Sequence, residues 1–541
     1  MNRSVTSQVY LVGAGIASLS AAALLIRDAG VDGGRIHILE ELPVAGGALD
    51  GKGDAQSGFV TRGGRMLTDE TYVCLWDVLD SIPSLDQPGL SIRDDCRAFN
   101  AEHVSNAKAR LIDRDHYILD ARQLGFDVQD RIELMRLLAM PEKALGTKRI
   151  EEVFSSHFFQ TNFCTMWRTT FAFQNWHSAI ELKRYMLRFL QELPRIHTLG
   201  GVRRTRYNQY DTIVRPLRRW LQAQGVTFVH DTKVTDADFV SCGDGHRVST
   251  LHAVRGAEPL TYPIGADDVV LFTLGSMTAD ATYGGDAWPA PLVRDKRDGA
   301  WTLWENLARK VPGLGRPNTF CGNVDETKWL SFTLTMRSLL LLERIEAFSG
   351  NEAGTGGLMT FKDSSWLMSI VVPHAPHFAS QPDHVQTLWG YGLFVDQPGD
   401  YVRKPMADCT GQELLTELVH QLGFEDILAD VRASTTVIPV MMPYITSEFE
   451  RRAVQDRPHV IPHGARNFAL MGQYVEIPED CVFTVEYSVR SAMHAVYGLF
   501  GVERAIPAIY HAIADPAVSV QALHALLKGS TPDTPATAEA A

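Results

Sequence analysis

The chain is 541 residues long, 45% hydrophobic and 21% charged, which suits a large core shared among roughly two to four domains. A formal charge of −13 with no concentrated basic surface excludes a nucleic-acid partner. Seven cysteines without a CxxC pair exclude a disulfide framework and a zinc site, and no apolar run approaches the ~20 residues of a membrane span, so a cytoplasmic protein is expected.

MNRSVTSQ lacks the apolar core of a signal peptide, and a dinucleotide-binding βαβ pattern starts almost at once. Val9 to Val12 reads as a strand, Gly13-Ala14-Gly15 as a turn, and Ser18 to Ala29 as an Ala/Leu-rich helix. Gly13 permits the tight turn and Gly15 lets the backbone approach a pyrophosphate, to which the helix N-terminus offers N–H groups and its positive end. Ser18 stands where the motif's last glycine lets helix and strand pack closely. A second strand, Arg35 to Leu39, ends in Glu40 and Glu41, placed to accept hydrogen bonds from ribose hydroxyls. An acid there favours FAD or NAD over NADP. Gly46-Gly47 and Arg62-Gly63-Gly64-Arg65 read either as cofactor loops or as ordinary turns.

Tyr72 to Leu79 has helical spacing. Residues 107 to 122 read as short strands, and Val128 to Leu145 and Lys148 to His157 as helices with charge outside. His177 to Leu193 is the clearest amphipathic helix of the first half, with Met186, Phe189, Leu190 and Leu193 on one stripe and Tyr185 beside it. On residue type alone Tyr185 is a half-buried aromatic. YNQY (207 to 210) leads into a helix carrying Val214, Leu217, Trp220 and Leu221, then a strand from Val226 to His230. The apolar run 269 to 276 ends at Gly275-Ser276, and Asn467 to Gly472 repeats that design before a helix from Thr484 to Leu499. In two-dinucleotide-fold flavoproteins such strands return to the cofactor sheet, so Gly275, Ser276, Gly472, Thr484 and Val485 are expected beside the cofactor.

Asp280 to Tyr444 is an inserted region with strands near Trp366 to Val372 and Thr387 to Phe394 and a helix from Gly411 to Leu422. Residues 501 to 528 are moderately amphipathic, with Val520, Leu523, Leu526 and Leu527 on one side; they cap the core, mediate association or rest on a membrane surface. The final STPDTPATAEAA reads as a disordered tail. The expected fold is α/β: a Rossmann-like FAD-binding domain of the two-dinucleotide-fold type, an inserted mixed α+β substrate domain and a helical C-terminal region. Segments 1–130, 211–285 and 446–500 are assigned to the FAD domain, 131–210 to a mainly helical substrate-lining segment, 286–445 to the substrate domain and 501–541 to the C-terminal helices and tail.

GAGIASLSAA, GGALDGKG, GFVTRGGRM, WDVLDSIPSL, YNQYD, DSSWLMS, LWGYGLF, GDYVRKPM and NFALMGQYVEIPEDCVFTVEYSVR together resemble the oleate hydratases, also called myosin-cross-reactive antigens, over nearly the whole length. The resemblance implies an FAD-dependent fatty acid hydratase that adds water across a cis double bond, with FAD in a non-redox role. It places Tyr185 as the proton donor to the alkene, with a nearby positive charge lowering its pKa. The family's water-activating glutamate is replaced by Met66, for which Asp69 or Glu70 is the candidate substitute, or else backbone carbonyls hold the water. For the fatty carboxylate it implies Gln209 and His377, with Val371 and Pro373 in place of two polar residues and His374 or Arg206 as helpers.

The competing readings are an FAD oxidoreductase or double-bond isomerase acting on a long-chain lipid, and a non-catalytic flavin and fatty-acid binding protein. The expected partners are an unsaturated fatty acid and water, with transient contact at the inner membrane surface, in a monomer or homodimer.

Overall fold

Val9–Val12, Ile36–Leu39, Thr227–Val229, Val269–Thr273 and Phe468–Met471 form a five-stranded sheet in which every neighbouring pair is parallel. Val9–Val12 lies at its centre, flanked by Ile36–Leu39 and then Thr227–Val229 on one side, and by Val269–Thr273 and then Phe468–Met471 on the other. Successive strands are therefore added first on one side of Val9–Val12 and then on the other, so strand order reverses between Val9–Val12 and Val269–Thr273, the switch point at which such sheets open a ligand crevice. Register pairs Val12 with Leu39 and Phe272, and Thr273 with Met471, so the carboxyl ends stand in one row. The computed structural model describes residues 7–49, 51–64 and 66–529; Arg65 and the tail from Ser530 onward lie outside the described residues.

Ile16–Arg27 and Val485–Phe500 pack against each other on this sheet. Both carry alanines on their buried faces, which lets their backbones come close. Lys233–Cys242, Gly245–Arg255 and Glu258–Pro263 make an antiparallel meander between the third and fourth strands in sequence.

A second, seven-stranded sheet is built mostly from the inserted region, around Trp329–Met336 and Gln386–Gly392, whose residues are buried on both faces. The hairpin Gly51–Asp54 and Gly58–Thr61 docks on it: the N–H groups of Phe59 and Thr61 donate to Thr335 Oγ1 (2.8 Å) and Thr333 Oγ1 (3.2 Å). Gly63 and Gly64, which continue this hairpin, follow Arg62, whose guanidinium bonds Gly47 O and Thr278 O, and Gly64 faces the Trp389 ring of the second sheet.

Several local expectations give way to tertiary contacts. Between 107 and 122 only Leu111–Ile112 is a strand, at the edge of the second sheet; Asp113 accepts from the N–H groups of Asp115 and Tyr117 and turns the chain instead. Lys148 to His157 is not helical beyond the short turn Ile150–Glu152, because Ile150 and Glu151 donate to the carbonyls of His177 and Asn175. Val128 to Leu145 divides at Pro141 into Val128–Ala139 and Glu142–Leu145. His177 to Leu193 divides into Ala179–Arg188 and a 3-10 turn, Leu190–Arg195, that contains Pro194. At the C-terminus Pro516–Lys528 buries Ala522, Ala525 and Leu526, while Val520, Leu523 and Leu527 face outward, so the expected stripe is split between core and surface.

Candidate active site

A cavity of about 720 Å³ runs along the switch point. Its floor is the Gly13-Ala14-Gly15 turn, where Gly13 adopts φ +88° and Gly15 precedes Ile16–Arg27 without any side-chain cap or first-turn acid. The first N–H groups of that helix are thus open to an anion. Gly47, at φ +56°, crosses over the turn so closely that a Cβ on it would stand 3.1 Å from Gly15 Cα. Its carbonyl accepts from Arg62 Nη2 at 2.8 Å, and Arg62 Nη1 reaches Thr278 O at 3.1 Å. Gly275, Ser276, Gly472, Thr484 and Val485 line the same cavity, with Thr484 capping Val485–Phe500 by accepting from Tyr487 N at 3.1 Å. Two helix N-termini therefore converge on it.

Glu40 lies at this cavity, buried, with its oxygens accepting from Ala14 N (2.6 Å) and Leu42 N (2.9 Å); burial raises its pKa. Each oxygen keeps a lone pair for a further donor. Glu41 also lines the cavity, accepting from Gly299 N at 2.8 Å and pairing with Lys233 at 3.2 Å. Ser18 is placed differently: its hydroxyl meets Thr273 Oγ1 at 3.1 Å, joining helix to strand behind the turn.

At the far end the cavity wall becomes apolar, with Tyr72, Phe171, Phe189 and Phe483 near Tyr185, and Met66 lines the same cavity. Tyr185 is 1% exposed and donates its hydroxyl proton to Val482 O at 2.6 Å. The rings of Phe171, Phe173, Phe189 and Phe449 surround it at 5.0 to 5.6 Å between centroids. Its helix is fixed by a buried ionic cluster in which Glu181 meets Arg452 (2.8 Å) and Arg457 (3.0 Å), and Arg184 meets Glu142 and Glu476 (both 2.8 Å). Contrary to the expectation of a lowered pKa, burial first, then Cys481, Tyr72 and nearby carboxylates, hold the phenol well above its ordinary range.

Neither substitute for the missing glutamate reaches this end. Leu67 and Arg203 pair in a two-way backbone bridge that turns the chain outward, leaving Asp69 on Arg203 (2.7 Å) and Glu70 on Arg195 (3.1 Å).

A second cavity, of about 50 Å³, shares Ala48, Leu49 and Gly64 with the first. It brings together Gln209, His377, Val371, His374 and Gly63; Gly63 was expected at the cofactor. Gly64 lies in the shared wall, where a Cβ would strike the Trp389 ring at 2.9 Å. His377 is anchored by its carbonyl, which accepts from Asn208 N at 2.7 Å. Burial and the Arg204 charge bring its imidazole down to about 4, so it is neutral near pH 7. Arg206 is committed to Asp95 (2.8 and 3.0 Å). Sequence reasoning missed Arg204, Trp389 and Phe99 in this wall, and the π-helical turn Tyr210–Val214 that follows Gln209.

The parallel sheet, its glycine turns and the convergent helix ends define a Rossmann-like protein of the two-dinucleotide-fold flavoprotein type. An oxidoreductase from Methanosarcina mazei shares the fold with a TM-score of 0.52 at 11% identity, over 90% of this chain and 99% of that one. The chain belongs to the MCRA family, which matches residues 6–497. It is 39% identical over 509 residues to an oleate hydratase of Streptococcus pyogenes serotype M49 (strain NZ131), covering 92% of this chain and 86% of that protein. It is 35% identical over 543 residues to a linoleate hydratase of Lactiplantibacillus plantarum, covering 92% and 94%.

Proposed function

We propose that the protein is a hydratase of unsaturated fatty acids that uses bound FAD without electron transfer. The observation that carries this reading is Tyr185, a buried phenol whose pKa is raised by burial, ringed by aromatic side chains at the apolar end of the large cavity. The two hydratases among its relatives support it.

The cavity residues suit FAD: the Gly13–Gly15 turn and the two helix ends the diphosphate, Glu40 and Glu41 the ribose, and Gly275, Ser276 and Gly472 the remaining length. When bound, FAD supplies shape and electrostatic stabilisation, because adding water to an alkene changes no oxidation state overall. In this reading segments 1–130, 211–285 and 446–500 hold the cofactor, 131–210 and 286–445 enclose the substrate, and 501–541 forms the C-terminal region.

The fatty head group occupies the small cavity and the acyl chain passes the shared wall toward Tyr185. The Tyr185 O–H bond breaks as its proton, released from the hydrogen bond to Val482 O, bonds to one alkene carbon, leaving a phenolate on Tyr185. The cation at the other carbon is shielded by Phe171 and Phe189, whose ring faces favour positive charge. Water held by backbone carbonyls adds to it, and its surplus proton returns to the Tyr185 oxygen. Met66 removes the family's general base, a loss of order 10²- to 10⁴-fold where such help is typical.

The same substitution favours a second reading, since a cation without activated water can lose a proton and shift the double bond. Incubating FAD-loaded protein with oleate under argon separates the cases. A product heavier by one water supports hydration; unchanged mass with a moved double bond supports isomerisation; a product lighter by two hydrogens, or unaltered oleate, refutes both.

Seven unpaired cysteines favour a reducing cytoplasm. Among the described residues no helix is long and apolar enough to cross a membrane. Peripheral contact with the inner membrane surface fits the exposed Val128, Ile132 and Met135 of one helix and Val520, Leu523 and Leu527 of another, joined by Arg131 Nε donating to Leu526 O at 2.8 Å. Loss of vesicle co-sedimentation on Leu523→Asp is expected; unchanged binding would contradict this contact.

A further inference from the structure

The small cavity holds a cation, Arg204, that has no counter-charge among the described residues. Arg204 enters it from an extended stretch whose backbone is clamped by Asn100, which accepts from Arg204 N at 2.8 Å and donates to Arg204 O at 2.7 Å. Its neighbours use their charge elsewhere, Arg203 on Asp69 and Arg206 on Asp95. Nε and Nη2 of Arg204 are buried and have no hydrogen-bond partner among the described residues. These two nitrogens form a single edge of the guanidinium. It is the edge with which Arg184 grips both oxygens of Glu142, at 2.8 Å each, in this same chain. A buried cation lacking partners is unfavourable, and an anion with two coplanar oxygens relieves it.

The rest of the cavity completes such a site. Gln209 Oε1 is also buried without a partner among the described residues, and rotation of its amide presents NH₂ to the same space. His377 is neutral and brings no competing acid. A volume of about 50 Å³ admits a small head group and excludes a bulky ester or thioester.

Resting on the hydratase reading above, we propose that Arg204 binds the substrate carboxylate side-on through Nε and Nη2, selecting free acids and fixing which carbon of the chain lies at Tyr185. Positions 371 and 373, where the resemblance places polar carboxylate ligands, are here Val and Pro. Arg204 supplies the charge that those positions lack.

The test uses FAD-loaded wild type, Arg204→Met and Arg204→Lys with oleate and methyl oleate. For Arg204→Met the KM for oleate is expected to rise about 10- to 100-fold, far more than kcat falls. Its preference for acid over ester should fall toward parity, and its products should spread over neighbouring positions. Arg204→Lys should lie between, keeping the charge but losing the two-pronged edge. Without fatty acid, Arg204→Met should melt no lower than wild type, because an unpaired buried charge has been removed; oleate should raise the wild-type melting temperature and leave the variant's unmoved. A wild-type KM and acid preference in Arg204→Met would overturn the proposal, as would a markedly lowered melting temperature without ligand or failure to fold, which would make Arg204 part of the scaffold. If wild type hydrates neither substrate, the hydratase reading fails alone, and the oleate-induced melting shift still decides Arg204.

Discussion

In the proposed hydration Tyr185 carries two separable burdens, a proton for the alkene and the hydrogen bond to Val482 O that the structure shows. Tyr185→Phe is expected to reduce hydration by about 10²- to 10⁴-fold while lowering unfolding free energy by only about 1–3 kcal/mol. Product formation and chemical denaturation measured on one preparation check both, and turnover within a few-fold of wild type would remove Tyr185 as donor. Because its pKa is raised, the phenol stays protonated through neutral and mildly alkaline pH, so no alkaline loss of turnover should come from this group in that range. Met66→Glu places a carboxylate in the lining of the same cavity and is expected to raise kcat by an order of magnitude or more. A fall in kcat with intact folding would show that water here needs no base. The position of Tyr185 was legible through its motif, but its environment was not, since the burial and the nearby carboxylates that raise its pKa come from distant segments. Arg204 was illegible for a related reason. In RRTR, residues 203 to 206, three identical side chains look alike, and only the pairing of the other two with Asp69 and Asp95 marks the middle one.

At the scale of elements, the proposed cofactor site rests on the glycine turns and helix ends. Thr484→Ala removes the cap of Val485–Phe500 and is expected to lower stability by about 1 kcal/mol and to increase flavin release on gel filtration. Unchanged flavin retention would separate that helix end from the cofactor. Four of the five parallel strands were readable as short, largely apolar runs that end at or next to a glycine or acid, Thr227–Val229 being the exception. Residues 107 to 122 and 148 to 157 misled because their backbone partners come from elsewhere. Thr360 and Phe361 pair with Leu111–Ile112, and Asn175 and His177 capture Ile150 and Glu151. The direction of Asp69 and Glu70 likewise depends on the Leu67–Arg203 bridge, which no local pattern announces.

Across the whole molecule, buried ionisable groups link stability to pH. His377 and His177 are held down to about 4 and about 3 by burial. Their contribution is intact above the unfolded value near 6.5 and is lost as pH falls, because the unfolded chain takes up protons first, at up to about 1.4 kcal/mol per pH unit each. Glu450, raised to about 8, acts in the opposite sense and loses its share as pH rises. Comparing wild type with His377→Gln isolates the histidine: between pH 7 and 5 the wild type should lose more thermal stability than the variant, and equal losses would refute a neutral buried His377. The five cofactor-sheet strands come from three segments, residues 9–39, 227–273 and 468–471, lying far apart in the chain, and their convergence was legible only from recurring strand-to-glycine patterns, while the docking of the Gly58–Thr61 hairpin on the second sheet was not. The most direct measurement is oleate turnover by FAD-loaded protein, under argon, in water enriched in heavy oxygen and deuterium. The expected product is one hydroxy fatty acid carrying heavy oxygen on one former alkene carbon and deuterium on the other, with no electron acceptor consumed and with Tyr185→Phe nearly inactive. A desaturated product, or a hydroxyl whose oxygen is not the heavy isotope of the solvent, would contradict it.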